Sequence, residues 1–241
     1  MKKRPDRTVI SPSGRYQLDI VTKETSPDCW NCTVGTVREG GRVIAIVERN
    51  YFSFPHLFIE GHANGHDYLV CGEHYQSQTV IELDTGLRKD APRTPTSFCW
   101  ASYHYDPRFQ ILVVEGCFWA APYESQFFDF SDPMSGWPEI ELQPPNSIDL
   151  GGRSPEISED GTITCFETND DFEDEPAESS VPVLLPYDAC QIVVAWTKYR
   201  REGMTLILVD NWLHPKEKAR REDEEAWRLR YAESKRKGQE A

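Results

Sequence analysis

Hydrophobic and polar positions alternate with a period of two along most of this chain, the spacing of half-buried β-strands rather than of helices. Tyr16-Gln-Leu-Asp-Ile20 is a clear case: it follows the turn Ser11-Pro-Ser-Gly-Arg15 and reads as a strand with one apolar face. Trp30 to Val37 is the next strand, and Glu39-Gly-Gly-Arg42 turns it into Val43-Ile-Ala-Ile-Val47. Residues 57–87 give three more strands, with a hairpin turn at Asn64-Gly65 leading into Tyr68-Leu-Val-Cys71 and then Thr79-Val-Ile-Glu-Leu83.

The layout then returns. Phe98 to Tyr103, Phe109 to Gly116 and Ser125 to Phe130 form a comparable group, with Gly116 matching Gly72 and Phe128-Asp-Phe130 matching Ile81-Glu-Leu83. Pro155 to Phe166, Cys190 to Trp196 and Met204 to Asp210 form another, and the Ser11–Arg15 turn opens a unit of the same kind. Repeats of about 40–55 residues built from turn, buried strand, Gly-marked bend and amphipathic strand are the pattern of blade-like β units. The expected fold is all-β, a β-propeller-like or open β-meander arrangement of about four units over residues 8–213. A charged helix over 214–241 follows it. Pro215 suits the first helical turn, good helix formers run to Lys237, Gly238 can end the helix, and Trp227 and Tyr231 share a face four residues apart.

Two segments, Asn64-Gly-His-Asp-Tyr-Leu-Val-Cys-Gly-Glu-His-Tyr-Gln76 and Phe128-Asp-Phe-Ser-Asp-Pro-Met134 with Trp137-Pro-Glu139, resemble an uncharacterised bacterial family of propeller-like, WD40-related proteins. The resemblance covers about residues 55–140. It implies the blade-type fold and brings no activity and no catalytic residue with it.

The net charge of −14 is unevenly spread. Residues 214–241 hold nine Lys/Arg against seven Asp/Glu, and the rest of the chain 17 against 33. An acidic body argues against nucleic-acid binding through direct phosphate contact, which needs a cationic face. No apolar run is long enough to span a bilayer, and the charged N-terminus has no apolar signal region, so a membrane location is not expected. Seven cysteines, most among apolar neighbours, suit a reduced cytoplasmic protein without a disulfide framework. Residues 167–180 read as a mobile acidic loop.

Chemistry is sparse. His62, His66 and His74, with His56, Glu60, Asp67 and Glu73 nearby, are a candidate metal set, and Glu73 and His74 a candidate catalytic pair for a metal-dependent hydrolase. The glycines around them forbid the helix that the His62/His66 spacing would need, so convergence requires a hairpin; the plainer reading is turn residues bonding local backbone. Cys29-Trp-Asn-Cys32 lacks the second pair of a zinc site and the helix N-terminus of a redox motif. The acidic loop lacks EF-hand spacing, and no phosphate-binding or nucleophile-elbow motif occurs. Trp100, Tyr103, Tyr105, Phe118, Trp119 and Tyr123 are candidate binding aromatics at strand ends, with core wedges as the competing reading. The functional expectation is therefore a non-catalytic module without a cofactor. Its blade-end loops and acidic surface would bind a protein partner of basic character.

Overall fold

The computed structural model describes residues 5–26, 29–74, 78–91, 98–118, 123–143, 154–169 and 192–239. The described residues form four sheets, antiparallel in every pairing, and one C-terminal helix. The first sheet runs β1 (Arg7–Ile10), β2 (Tyr16–Lys23), β3 (Cys32–Glu39) and β4 (Arg42–Arg49), in that order. The second is β5 (Leu57–Ile59), β6 (Tyr68–Cys71), β7 (Thr79–Glu82) and β8 (Arg88–Asp90). The third pairs β9 (Cys99–Asp106) and β11 (Tyr123–Asp129) on either side of β10 (Ile111–Cys117). The fourth contains β13 (Glu156–Ile157), β14 (Ile163–Asn169), β15 (Ile192–Glu202) and β16 (Thr205–Leu213), with the short β12 (Glu141–Gln143) joining it.

The chain divides into two compact units. The first holds Met1–Asp149 and the β15–β16 hairpin tip, Arg201–Leu206; the second holds Leu150–Arg200 and Ile207–Ala241. Within the first unit the tip is fixed by Glu141 N–H donating to the Met204 carbonyl at 3.0 Å and by an Arg201–Asp129 ion pair.

One small turn opens three of the four sheets. At Ser11–Gly14, His62–Gly65 and Ser158–Gly161 the glycine N–H donates to the carbonyl three residues back, at 2.9, 2.8 and 3.1 Å. Each closing glycine has a positive φ (80°, 89° and 80°), which a side chain would strain. The repetition seen in the sequence is thus a repetition of one hairpin design.

Packing in the first unit follows from the period of two. Leu69 and Cys71 of β6, Ile81 of β7 and Leu83 just past it join Tyr16, Leu18, Ile20, Val37 and Val47 of the first sheet in one core. The intervening Tyr68, Val70 and Val80 join Trp100, Leu112, Val114, Phe128 and Phe130 of the third in another. The second sheet therefore buries both faces, and all four residues of β6 and of β7 are buried. The first sheet buries one face only: Val47 is 2% exposed and its neighbour Ile46 is 55% exposed. Each buried large side chain contributes about 1.5–3 kcal/mol.

In the second unit, helix α1 (Pro215–Gln239) begins where Pro215 can be accommodated and His214 Nδ1 accepts from Lys216 N–H at 3.2 Å, capping the first turn. Glu217 is fully buried and pairs with Arg220 at 2.6 Å and Arg221 at 2.8 Å. The Arg220 bond, with help from Arg221 and against its own desolvation, pulls the Glu217 carboxyl down to about 2. Further along, Trp227 and Tyr231 stack at 5.3 Å on an exposed face, and Glu224–Arg228 pairs at 2.7 Å. No described helix is long and apolar enough to cross a membrane.

Candidate functional site

The three histidines of the alternative metal reading lie apart. His62 sits in the turn before β6, 2% exposed, and faces Tyr105 with ring centres 5.7 Å apart. Both ring nitrogens are engaged, Nε2 with the Phe130 carbonyl and Nδ1 with Asn64 Oδ1, each at 2.8 Å. Such a ring ties the β5–β6 turn to the end of β11 and has no nitrogen left for a metal. His66 is half-exposed, 3.6 Å from Asp84 and 3.9 Å from Glu82. His74 lies beyond the other end of β6, a strand that spans roughly 13 Å. Its carbonyl accepts from Arg49 at 2.9 Å. Glu73 pairs with Arg88 at 2.7 Å, and His56 Nδ1 bonds the Phe54 carbonyl at 2.9 Å in a partly buried setting. That burial holds the His56 ring below its ordinary range. Among the described residues no group of three His, Cys, Asp or Glu side chains is placed to hold a metal ion.

The acidic side chains of this region serve a different end. Arg15 reaches Glu39 at 2.7 Å, Asp67 at 2.8 Å and Asp84 at 3.2 Å. Asp67 also accepts from the Tyr16 hydroxyl at 2.9 Å and from Gly61 N–H at 2.8 Å. Burial first, then the Asp67 carboxylate, raises the Tyr16 phenol well above its usual range. Against its desolvation, the Asp67 N–H and Arg15 hold the Asp84 carboxyl low. This network clamps the first sheet to the second through charge-assisted bonds.

The aromatic set divides. Trp100 is 4% exposed, and its ring lies 4.9 Å from Phe128 and 5.7 Å from Tyr103. Tyr105 packs against Phe130, and Phe118 against Phe98. Tyr103 and Tyr105 bury their hydroxyls without a hydrogen-bond partner among the described residues. These four are core wedges rather than surface anchors, because β9 and β10 turn that face toward the second sheet. Tyr123 is 53% exposed, and Trp119 lies outside the described residues, as do Cys190 and most of the acidic loop.

Among the described residues a concave surface lies elsewhere, at the loop that joins β2 to β3. Glu24, Thr25, Ser26, Cys29, Trp30, Asn31 and Phe52 line an open cleft of about 450 Å³. Trp30 is 52% and Phe52 59% exposed. Tyr51 bridges them, edge-on to Trp30 at 5.1 Å and tilted on Phe52 at 4.3 Å. The Thr25 hydroxyl donates to the Cys29 and Trp30 carbonyls at 3.1 and 2.9 Å, and Thr33 Oγ1 donates to the Tyr51 carbonyl at 2.9 Å, so the aromatic platform rests on fixed backbone. Cys29 opens onto this cleft and Cys32 starts β3; the pair thus frames a loop between strands. The trio is hard to see in the sequence because its rings come from segments some twenty residues apart. The available signal was Tyr51-Phe52, two aromatics just past the end of an alternating strand.

The described residues thus form an all-β fold of four antiparallel sheets with one helix, and carry an aromatic surface cleft. No protein-family model matches the chain. Over 138 residues it is 41% identical to "Uncharacterized protein R762" of Acanthamoeba polyphaga mimivirus, a match covering 56% of this chain and 54% of that protein. The chain therefore spans about half the length of this relative. The finding overturns the resemblance to a bacterial WD40-related family: the similar protein is viral, and no WD40 model or other family model is matched.

Proposed function

We propose that this chain is a non-catalytic protein-binding module that takes a Lys/Arg-bearing segment of a cytoplasmic partner in the Trp30–Phe52 cleft. The observation that carries the reading is the exposed Trp30–Tyr51–Phe52 platform on a chain of net charge −14. Large rings left half in water at a concave site are what partner anchors need, and Trp is the strongest of them. The aromatic faces attract an ammonium or guanidinium group, the Glu24 carboxylate stands at the rim, and the overall negative field speeds encounter with a basic chain.

The test is an array of Lys/Arg-rich and Asp/Glu-rich peptides probed with wild type and with Trp30→Ala/Phe52→Ala. Basic peptides bind wild type, binding weakens as salt rises, and the double variant loses roughly 30-fold, the weight of a typical hot spot. Equal binding by the double variant, or equal retention of acidic peptides, refutes the proposal.

A further inference from the structure

Cys99 and Cys117 are directly opposite one another in the β9–β10 ladder, the last rung at the open end of the hairpin that turns at residues 107–110. Directly opposed residues on antiparallel strands have Cα atoms about 4.5–5.5 Å apart, inside the span of about 4.4–6.8 Å that a disulfide bridges. The register sets the two side chains side by side across the rung, and both residues are half-buried and therefore reachable from solvent. Cys71 and Cys165, by contrast, are buried. The carbonyl of Cys99 also presses on Gly116, where a Cβ would stand 2.1 Å away, so the strands at this rung are held at close approach.

We infer that Cys99 and Cys117 form a reversible redox pair that closes to a cross-strand disulfide by exchange with a small disulfide of the glutathione type. One thiol loses its proton and attacks a sulfur of the oxidised tripeptide dimer. Its S–S bond breaks, one glutathione thiolate leaves, and a mixed disulfide remains on the protein. The second cysteine, deprotonated in turn, attacks the protein sulfur of that mixed disulfide and expels the second glutathione. Two protein thiols have given up two electrons and two protons, and one glutathione disulfide has become two glutathiones. Burial, with the neighbouring Cys117 thiol, holds the Cys99 thiol above its ordinary range. Exchange is accordingly slow at neutral pH and quickens as pH rises. The bond staples the open end of the β9–β10 hairpin, next to the core side chains Trp100 and Phe118.

The experiment uses the full chain in a Cys29→Ser/Cys32→Ser background, so that no other pair close in sequence contributes, equilibrated with reduced and oxidised glutathione and then alkylated and mapped by mass spectrometry. The expected result is a cross-linked peptide pair joining Cys99 to Cys117, about 2 Da lighter than the two thiols, and a thermal midpoint raised by several degrees. Cys117→Ser then holds a glutathione adduct on Cys99, and Cys99→Ser one on Cys117. Recovery of both cysteines fully alkylated from the oxidised sample overturns the inference. So does persistence of the mixed disulfide on the parent protein, because the second thiol would then be out of reach.

Discussion

Truncating Val80 and Ile81, neighbours on β7, tests whether the second sheet is covered on both faces. Ile81 is fully buried among residues of the first two sheets, and Val80, 1% exposed, is buried among residues of the second and third. Ile81→Ala in such a site costs about 2–5 kcal/mol. Val80→Ala removes two carbons, about 1.6 kcal/mol of transfer free energy, and the residual void adds up to about 1 kcal/mol. Ile46→Ala is the control: the same kind of truncation on an exposed strand face should change stability by less than about 0.5 kcal/mol. Urea unfolding followed by tryptophan fluorescence reads all three. With a slope of about 2 kcal/mol/M, Val80→Ala lowers the midpoint by about 1 M and Ile81→Ala by more. If Val80→Ala behaves like Ile46→Ala, one face of this sheet meets water and the packing described here is wrong.

Replacing His62 by Ala leaves the Phe130 carbonyl without its donor and a void beside Tyr105, and should lower stability by about 2–4 kcal/mol in the same assay. An unchanged midpoint would remove His62 from its structural role. Gly116→Ala sets a Cβ against the Cys99 carbonyl at 2.1 Å, backbone that cannot swing aside, and should cost about 2–4 kcal/mol. Gly35→Ala meets the Phe54 ring tip at 2.4 Å, so its cost should shrink in a Phe54→Leu background; equal costs in both backgrounds would contradict the contact. For pH, Glu217 and Asp84 titrate low in the folded state. Their contribution is complete above pH of about 5 and lost as pH falls, for Glu217 through about 2. Tyr16 titrates high, so its contribution is present below pH of about 10 and lost as pH rises beyond. Thermal melts should show a plateau between these limits, and a midpoint that holds steady down to pH of about 2 would contradict the carboxylate pairing.

The strands were legible because Tyr16–Ile20 carries its burial in the period of two itself and Tyr68–Cys71 is a short apolar run behind a hairpin turn, and the turns because Gly14, Gly65 and Gly161 stand where the backbone needs a left-handed residue. The helix announced itself through Pro215 and its run of helix formers. The site was not legible in this way. Whether an aromatic is a wedge or an anchor depends on what another sheet lays over it, and nothing local to Trp100 or Tyr103 records that β5–β8 covers them. The same holds for Arg49. At the end of β4 it is 3% exposed and donates to the Gly72 and His74 carbonyls, contacts set by the fold of the second sheet. The candidate histidines lie apart for a geometric reason: close spacing in sequence places residues at opposite ends of a short strand as readily as together.

The proposed recognition surface is most directly read by the indole N–H signals of the seven tryptophans during titration with a lysine-rich peptide. Binding in the cleft makes the Trp30 signal move, saturate and return toward its starting position at high salt, while the signal of buried Trp100 stays in place. A stationary Trp30 signal at peptide concentrations where binding is complete would show that the cleft is not where this protein meets a basic partner.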